Sequence, residues 1–517
     1  MKREIALLCS ALLAPQVLLP APPGRMAEKI EKILNKPEYR QAYWGLEVAD
    51  VKTGEILYER NPDKLFAPAS TTKLFSGAAA LVCLGPDKRF ETKLYRRGDV
   101  SNGTLTGDLI LQASGDPNLS GRRDATGRLL LKDEDHIYAA FLDDAEFVPA
   151  DPLEGLDELA RQVAAAGIRR VEGDILIDDR LFEAGEGTGS GPSRLSPVIV
   201  NDNVIDILVT PAPQVGAAAA LTLRPAAPYA QVDPRVETVA PGAGTHVEVD
   251  SPAPRRYVVR GEIEAGRKPL LRIGVVQDPA DFARAMLIES LGRRGVFVSA
   301  SELAPATRES LPPADGYSSL PVVAVRTSAP FSETLRVIEK VSHNLHAGIL
   351  PLLVAVQNGK RTLEEGLQIQ GQTLAGLGLD VSTISFGSGA GGAQSDQVTP
   401  RATVQLLRAM AARPDFSVYR DSLPILGVDG TIATAVGPDS PARGRVHAKT
   451  GTLVWEDAMN DRLLLASKAL AGYIETSKGR WLAFAFFVNK TYGKQIAVAV
   501  EQGRVLARLC EIVVTEN

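Results

Sequence analysis

Beyond its first two dozen residues the chain has no run approaching the ~18 uninterrupted apolar residues of a membrane-spanning helix, so no stable membrane span is expected. It also lacks any dense lysine and arginine run. With 57 basic against 62 acidic residues, a net charge of -5 and a pI near 5.8, it does not read as a nucleic-acid binder. Cysteine is scarce. Cys9 lies in the apolar N-terminus, while Cys83 and Cys510 sit in apolar helical contexts where buried free thiols are the default. Spacing does not reveal whether those two pair. No G-x-S-x-G is present, which argues against a Ser-His-Asp hydrolase of that type. His343 and His346 share a helical face, yet no acidic or cysteine set accompanies them in the sequence. Neither a metal nor a cofactor is expected.

What is present is 517 residues, 45% of them hydrophobic, enough for two or three domains. The first residues, MKREIALLCSALLAPQVLLPAP, place Lys2 and Arg3 before an apolar run and then prolines and small residues. This predicts a secretory signal peptide over 1–24 and a periplasmic or otherwise secreted protein. Tyr43 to Arg60 reads as two strands joined at Thr53-Gly54, and TTKLFSGAAALVCL as a buried helix. From about 85 to 325 the chain turns to strands punctuated by Pro and Gly, such as GDLILQAS and RRYVVRGEIE, which predicts a β-rich insertion of two subdomains. Helical patterns return after 326, and the chain closes on strand, turn and strand around Lys478-Gly479.

Three short motifs carry chemistry. Ser70 and Lys73, in APASTTKLF, lie three residues apart on one helical face, a nucleophile beside a base. Ser342-His343-Asn344 sits inside the helical segment FSETLRVIEKVSHNLHAGILPLLVAV. Lys449-Thr450-Gly451-Thr452 is centred in the alternating strand RVHAKTGTLV, where the glycine would let a substrate backbone lie close. K-T-G occurs twice, but Lys52-Thr53-Gly54 falls in the first hairpin turn and reads as turn chemistry. S-x-x-K, S-x-N and K-T-G in this order are far more specific than any one of them.

On these motifs, and on segments such as GDLILQASGDPNL, VEGDILIDDRLF, NDNVIDILVTP and LPILGVDGTI, nearly the whole mature chain resembles the class C low-molecular-mass penicillin-binding proteins. These are D-alanyl-D-alanine carboxypeptidases and endopeptidases of peptidoglycan. The long insert between Ser70 and Ser342, and the lack of an E-x-x-L-N motif, separate it from class A β-lactamases. The resemblance implies an α/β (α+β) fold: a transpeptidase-like, β-lactamase-like domain formed by 25–84 and 326–517, with a central antiparallel sheet flanked by helices and interrupted by β-rich inserted domains over 85–325. It implies peptidoglycan stem peptides as substrates and β-lactams as covalent inhibitors. Ser70 would form the acyl-enzyme, and Lys73 would take its proton, its pKa lowered by burial and by Lys449. Ser342 would relay a proton to the leaving amine, and Asn344 would bond substrate and Lys73. Lys449 would hold the terminal carboxylate with Thr450 and Thr452, and the N–H groups of Ser70 and Thr452 would form the oxyanion hole. A second reading is a family member that binds peptidoglycan or β-lactam without useful turnover.

Three stretches depart from that family's pattern. EAGEGTGSGPSRL, after DDRLF, replaces a tryptophan-containing loop, and Phe386 to Ala390 replaces D-G-S-G-L. Val454 to Lys468 is longer than expected, and its apolar spacing predicts a short helix beginning near Asp457, in an excursion over or beside the cleft.

Overall fold

The strand WLAFAFFVN shows how the fold is built. In the computed structural model, which describes residues 24–305 and 307–517, Ala483, Ala485 and Phe487 face one apolar core while Leu482, Phe484, Phe486 and Val488 face another. A strand buried on both faces needs no polar alternation. The signal-peptide expectation falls on residues outside those described, apart from Gly24.

The central sheet is antiparallel and runs in the order Val446–Asp457, Arg462–Glu475, Trp481–Asn489, Tyr43–Asp50, Ile56–Arg60. All eight residues of Tyr43–Asp50 pair with Trp481–Asn489, so the two ends of the chain close one sheet. On the alanine-bearing face pack the helices Thr72–Leu84, Asn344–Gln357 and Pro400–Ala411; on the other lie Arg25–Leu34 and Ala497–Glu516. Among the described residues no helix is long and apolar enough to cross a membrane.

Between Ser70 and Ser342 the chain leaves the sheet along Glu91–Ser101 and returns along Val322–Thr327, antiparallel to it from Glu91↔Thr327 onward. Two further sheets, built on Val204–Thr210 and on Arg256–Glu264, lie between these strands in the sequence. They share an apolar core drawn from residues 94–324. On that basis we read 85–325 as an inserted unit and 25–84 with 326–517 as the part it interrupts.

Val454 to Lys468 forms no helix from Asp457. The two strands extend as a β-hairpin to Asp457↔Arg462, with a register shift at Leu453/Val454, a 3-10 turn at Ala458–Asn460 and left-handed Asp461. Pairing won over helical spacing because Leu463, Leu464 and Leu465 gain a second ladder partner in Thr491–Gly493. Cys83, half-buried, and Cys510, buried, are both free.

Candidate active site

Ser70 sits in the 3-10 turn Ala69–Thr71 that opens the helix Thr72–Leu84, a helix buried almost to its end. Ala69 holds a left-handed φ of 48°. A Cβ at Gly391 would lie 1.9 Å from the Ala69 carbonyl oxygen, and one at Gly451 would lie 2.4 Å from that of Pro68. The K-T-G glycine therefore brings its strand against the nucleophile turn, rather than making room for a substrate backbone.

One helical turn on, Lys73 is fully buried. Its Nζ lies 2.8 Å from Ser70 Oγ, 2.7 Å from Asn344 Oδ1 and 2.9 Å from the Ala390 carbonyl oxygen. A neutral amine has two donors and one lone pair. Three partners of this kind fit it if the amine donates to Asn344 and Ala390 and accepts the Ser70 proton. Burial, and then the charge of Lys449, push the Lys73 pKa well below the ordinary lysine range, against an opposing pull from Glu339 and Asp396.

Ser342 lies between two helices rather than inside one. Phe331–Lys340 is capped by Val341, Asn344–Gln357 begins three residues later, and Ser342 takes a left-handed φ of 62°. The His343 N–H bonds back to the Ile338 carbonyl at 3.1 Å, so Ser342 occupies the left-handed position of a Schellman C-cap, where glycine is usual. The Tyr138 hydroxyl donates to the Ser342 carbonyl at 2.6 Å. Its Oγ accepts from Lys449 Nζ at 2.8 Å, while Asn344 Nδ2 donates to the Ser190 carbonyl at 2.9 Å. The loop EAGEGTGSGPSRL thus fixes the amide that holds Lys73.

Lys449 is fully buried, its ammonium turned to Ser342 and to the Thr450 carbonyl (3.1 Å), and burial lowers its pKa to about 8. Thr450 and Thr452 are more open, and Thr450 Oγ1 lies 2.9 Å from Thr431 Oγ1. A cleft of about 660 Å³ joins Ser70, Ser342, Asn344, Thr450 and Thr452. The ammonium on its wall belongs to Lys468, not to Lys449.

A serine and an amine in contact, a second serine on a second lysine, and two threonines in one cleft describe an acyl-transfer site. Residues 26–507 match the family described as D-Ala-D-Ala carboxypeptidase 3 (S13). The chain belongs to that family.

Within it, the chain is 30% identical over 547 residues to a D-alanyl-D-alanine carboxypeptidase of Actinomadura sp. (strain R39), covering 98% of this chain and 90% of that one. It is 25% identical to D-alanyl-D-alanine carboxypeptidase DacB of Haemophilus influenzae, over 86% of this chain and 85% of the relative. The crystal structure of penicillin binding protein 4 (dacB) from Haemophilus influenzae superposes with a TM-score of 0.68 at 22% identity, covering 93% of this chain and 98% of that one. The same protein has also been solved complexed with a β-lactam.

Around the S-x-N motif of this family member lies a cluster of buried charges. The sequence suggested no acidic partner for His343 and His346, but the insert supplies one in Asp202. Its Oδ1 lies 2.8 Å from His346 Nε2 and 3.3 Å from His343 Nε2, while Oδ2 meets Arg122 and His136 Nε2. Arg122 also bonds both oxygens of Asp135, and His136 Nδ1 lies 2.7 Å from Asp206. Asp202 was hidden because it comes from a turn far away in sequence, where Asn201, Asp202 and Asn203 all have φ near 50°. His343 Nδ1 accepts from the His346 N–H, so its proton is on Nε2, which lies 3.3 Å from Asp202 Oδ1 without meeting it in a hydrogen bond. Arg122 sits on the other oxygen of the same carboxylate.

Sequence reading also missed the Ala390 carbonyl, Ser190, Tyr138, Lys468 and Glu339. Ala390, Ser190 and Lys468 had a signal, since each falls in one of the three stretches that depart from the family pattern.

Proposed function

We propose that this protein is a serine-type D-Ala-D-Ala carboxypeptidase and endopeptidase acting on peptidoglycan stem peptides through an acyl-enzyme on Ser70, and that β-lactams acylate the same serine. The observation that carries the reading is the contact of a fully buried Lys73 with Ser70 Oγ at 2.8 Å. Ser70 Oγ attacks the carbonyl of the penultimate D-Ala as its proton passes to neutral Lys73. The oxyanion is received by the backbone N–H groups of Ser70 and Thr452. Ser342, held by Lys449, hands a proton to the leaving amine, and Asn344 keeps Lys73 aimed while bonding the substrate amide. Thr450 and Thr452 bond the terminal carboxylate, with the Lys449 charge beneath them, and Gly451 sets their strand against the nucleophile. Water then releases the acyl group. Substrate and family together support a site of action in the cell envelope, periplasmic or otherwise secreted.

The test joins two assays. A fluorescent penicillin should label the protein covalently, and Ser70→Ala should abolish the label with no change in melting temperature; persistent labelling at another serine would sink the assignment. Digestion of purified muropeptides should release D-Ala or split cross-linked dimers. Labelling without digestion would favour the binding-only reading.

A further inference from the structure

The cleft wall carries one cation that the reaction above leaves without a task. Lys468 lies directly opposite Thr452 in the neighbouring strand, so the two side chains share the face that Thr450 also presents. Its Nζ donates to Thr452 Oγ1 at 2.8 Å. Among the described residues its ammonium has no carboxylate within ion-pair reach, unlike Lys340, which holds Asp429. The stem is threaded beside the C-terminal helix Ala497–Glu516, where a Cβ at Gly503 would come within 3.3 Å of Lys468 Cε. Burial lowers its pKa to about 8. A half-buried ammonium without a carboxylate partner, beside the hydroxyls of Thr450 and Thr452, has the donors an anion needs.

The geometry points to Lys468 as the specificity-determining cation of this cleft: its ammonium, with the Thr450 and Thr452 hydroxyls, receives the carboxylate at the leaving end of a peptide substrate. The inference rests on the proposed function for the identity of that substrate. Lys449 cannot meet the anion as directly, since its ammonium is fully buried and already engaged by Ser342 and the Thr450 carbonyl. Lys468 is not a proton acceptor for Ser70, a position Lys73 already holds.

Binding to full-length Ser70→Ala tests this without turnover. The probes are one acyl-D-Ala-D-Ala peptide as the free acid and as its C-terminal amide. A hydrogen bond to a charged group contributes enough that Lys468→Met should weaken the acid about 10- to 100-fold. The amide should change little, and Lys468→Arg should restore most of the preference for the acid. An equal loss for both peptides would mean that Lys468 only supports the strand, and no loss would mean that the carboxylate lies elsewhere; either overturns the inference. Penicillin labelling of the wild-type protein, carried out at saturation, separates the two proposals. If Ser70 labels and the acid preference is untouched, the Lys468 assignment alone fails. If the acid preference collapses but Ser70 never labels, the acyl-enzyme reading alone fails.

Discussion

Two groups of fully buried charges flank Ser342, and they are organised in opposite ways. Around Asp202, every carboxylate is matched: Arg122 and His136 serve Asp202, Arg122 serves Asp135, and His136 serves Asp206. Around Lys73 the matching stops. Glu339 is fully buried, neither of its oxygens meets a hydrogen-bond donor, and Gly77 is small where a Cβ would lie 2.8 Å from Glu339 Oε1. Burial raises the Glu339 pKa to about 7 while Lys449 and Lys73 pull it down. Saturated hydrogen bonds fix a charge in place; unsaturated ones leave it free to change during a reaction. The paired cluster therefore reads as architecture joining the insert to the S-x-N turn, and the unpaired one as chemistry.

The sharpest way to break this contrast is to remove one member from each cluster and ask where the loss appears. Lys73→Ala should slow acylation by roughly 100- to 10,000-fold while leaving stability near wild type, as read by stopped-flow penicillin labelling and thermal melting. A wild-type rate would mean that another base acts. Asp202→Asn should do the reverse, costing about 3–5 kcal/mol in denaturant titration because Arg122 and His136 lose their buried counter-charge. A loss under 1 kcal/mol would show that the cluster is not a brace.

The pH response should differ as well. Ionised Glu339 favours a protonated Lys73, so Glu339→Gln should let Lys73 shed its proton at lower pH and move the acid limb of the acylation profile to lower pH. A limb that stays put, or moves up, removes Glu339 from the cluster. For the brace, burial and the neighbouring His346 depress His343 to about 3, so its contribution is whole above pH 6.5 and is lost as pH falls toward 3. His136 is opposite: burial works against its charge, but Asp206 and Asp202 raise it to about 10, so its contribution is whole below pH 6.5 and is lost as pH climbs through 10. Stability should therefore decline on both sides of neutrality, and the Asp202→Asn protein, in which His136 loses one of the partners that raise it, should show a flatter alkaline limb. The smallest expected effect is that of Lys52→Ala, in the K-T-G of an exposed turn, which should leave acylation and melting unchanged where Lys449→Ala impairs acylation.

What was legible in the sequence divides along the same line. The residues that touch one another through local spacing, Ser70 with Lys73 and the alternating strand around Lys449, could be read directly because helix and strand periods place them. The antiparallel sheet and the β-rich insert were legible through apolar patterning. The break at Ser342 was not, because a serine in the left-handed position of a C-cap leaves no mark where glycine would. Asp202 and Glu339 were invisible for another reason: their neighbours are set by packing between distant segments, which no spacing encodes. The hairpin beyond Val454 misled because three leucines suit a helix and a paired strand equally, and only the later Thr491–Gly493 segment decides between them.

The pairing of Tyr43–Asp50 with Trp481–Asn489 encloses the whole set of motifs. The Tyr43–Asp50 strand precedes Ser70 and Lys73 in the chain, yet it pairs with Trp481–Asn489, which follows every motif residue. A chain halted between these two strands leaves Tyr43–Asp50 without its long-range partner even when Ser70, Lys73, Ser342 and Lys449 are all present. A protein stopped after Lys478 would hold every motif residue and still lack the strand that joins them to the N-terminus; it should take up no penicillin.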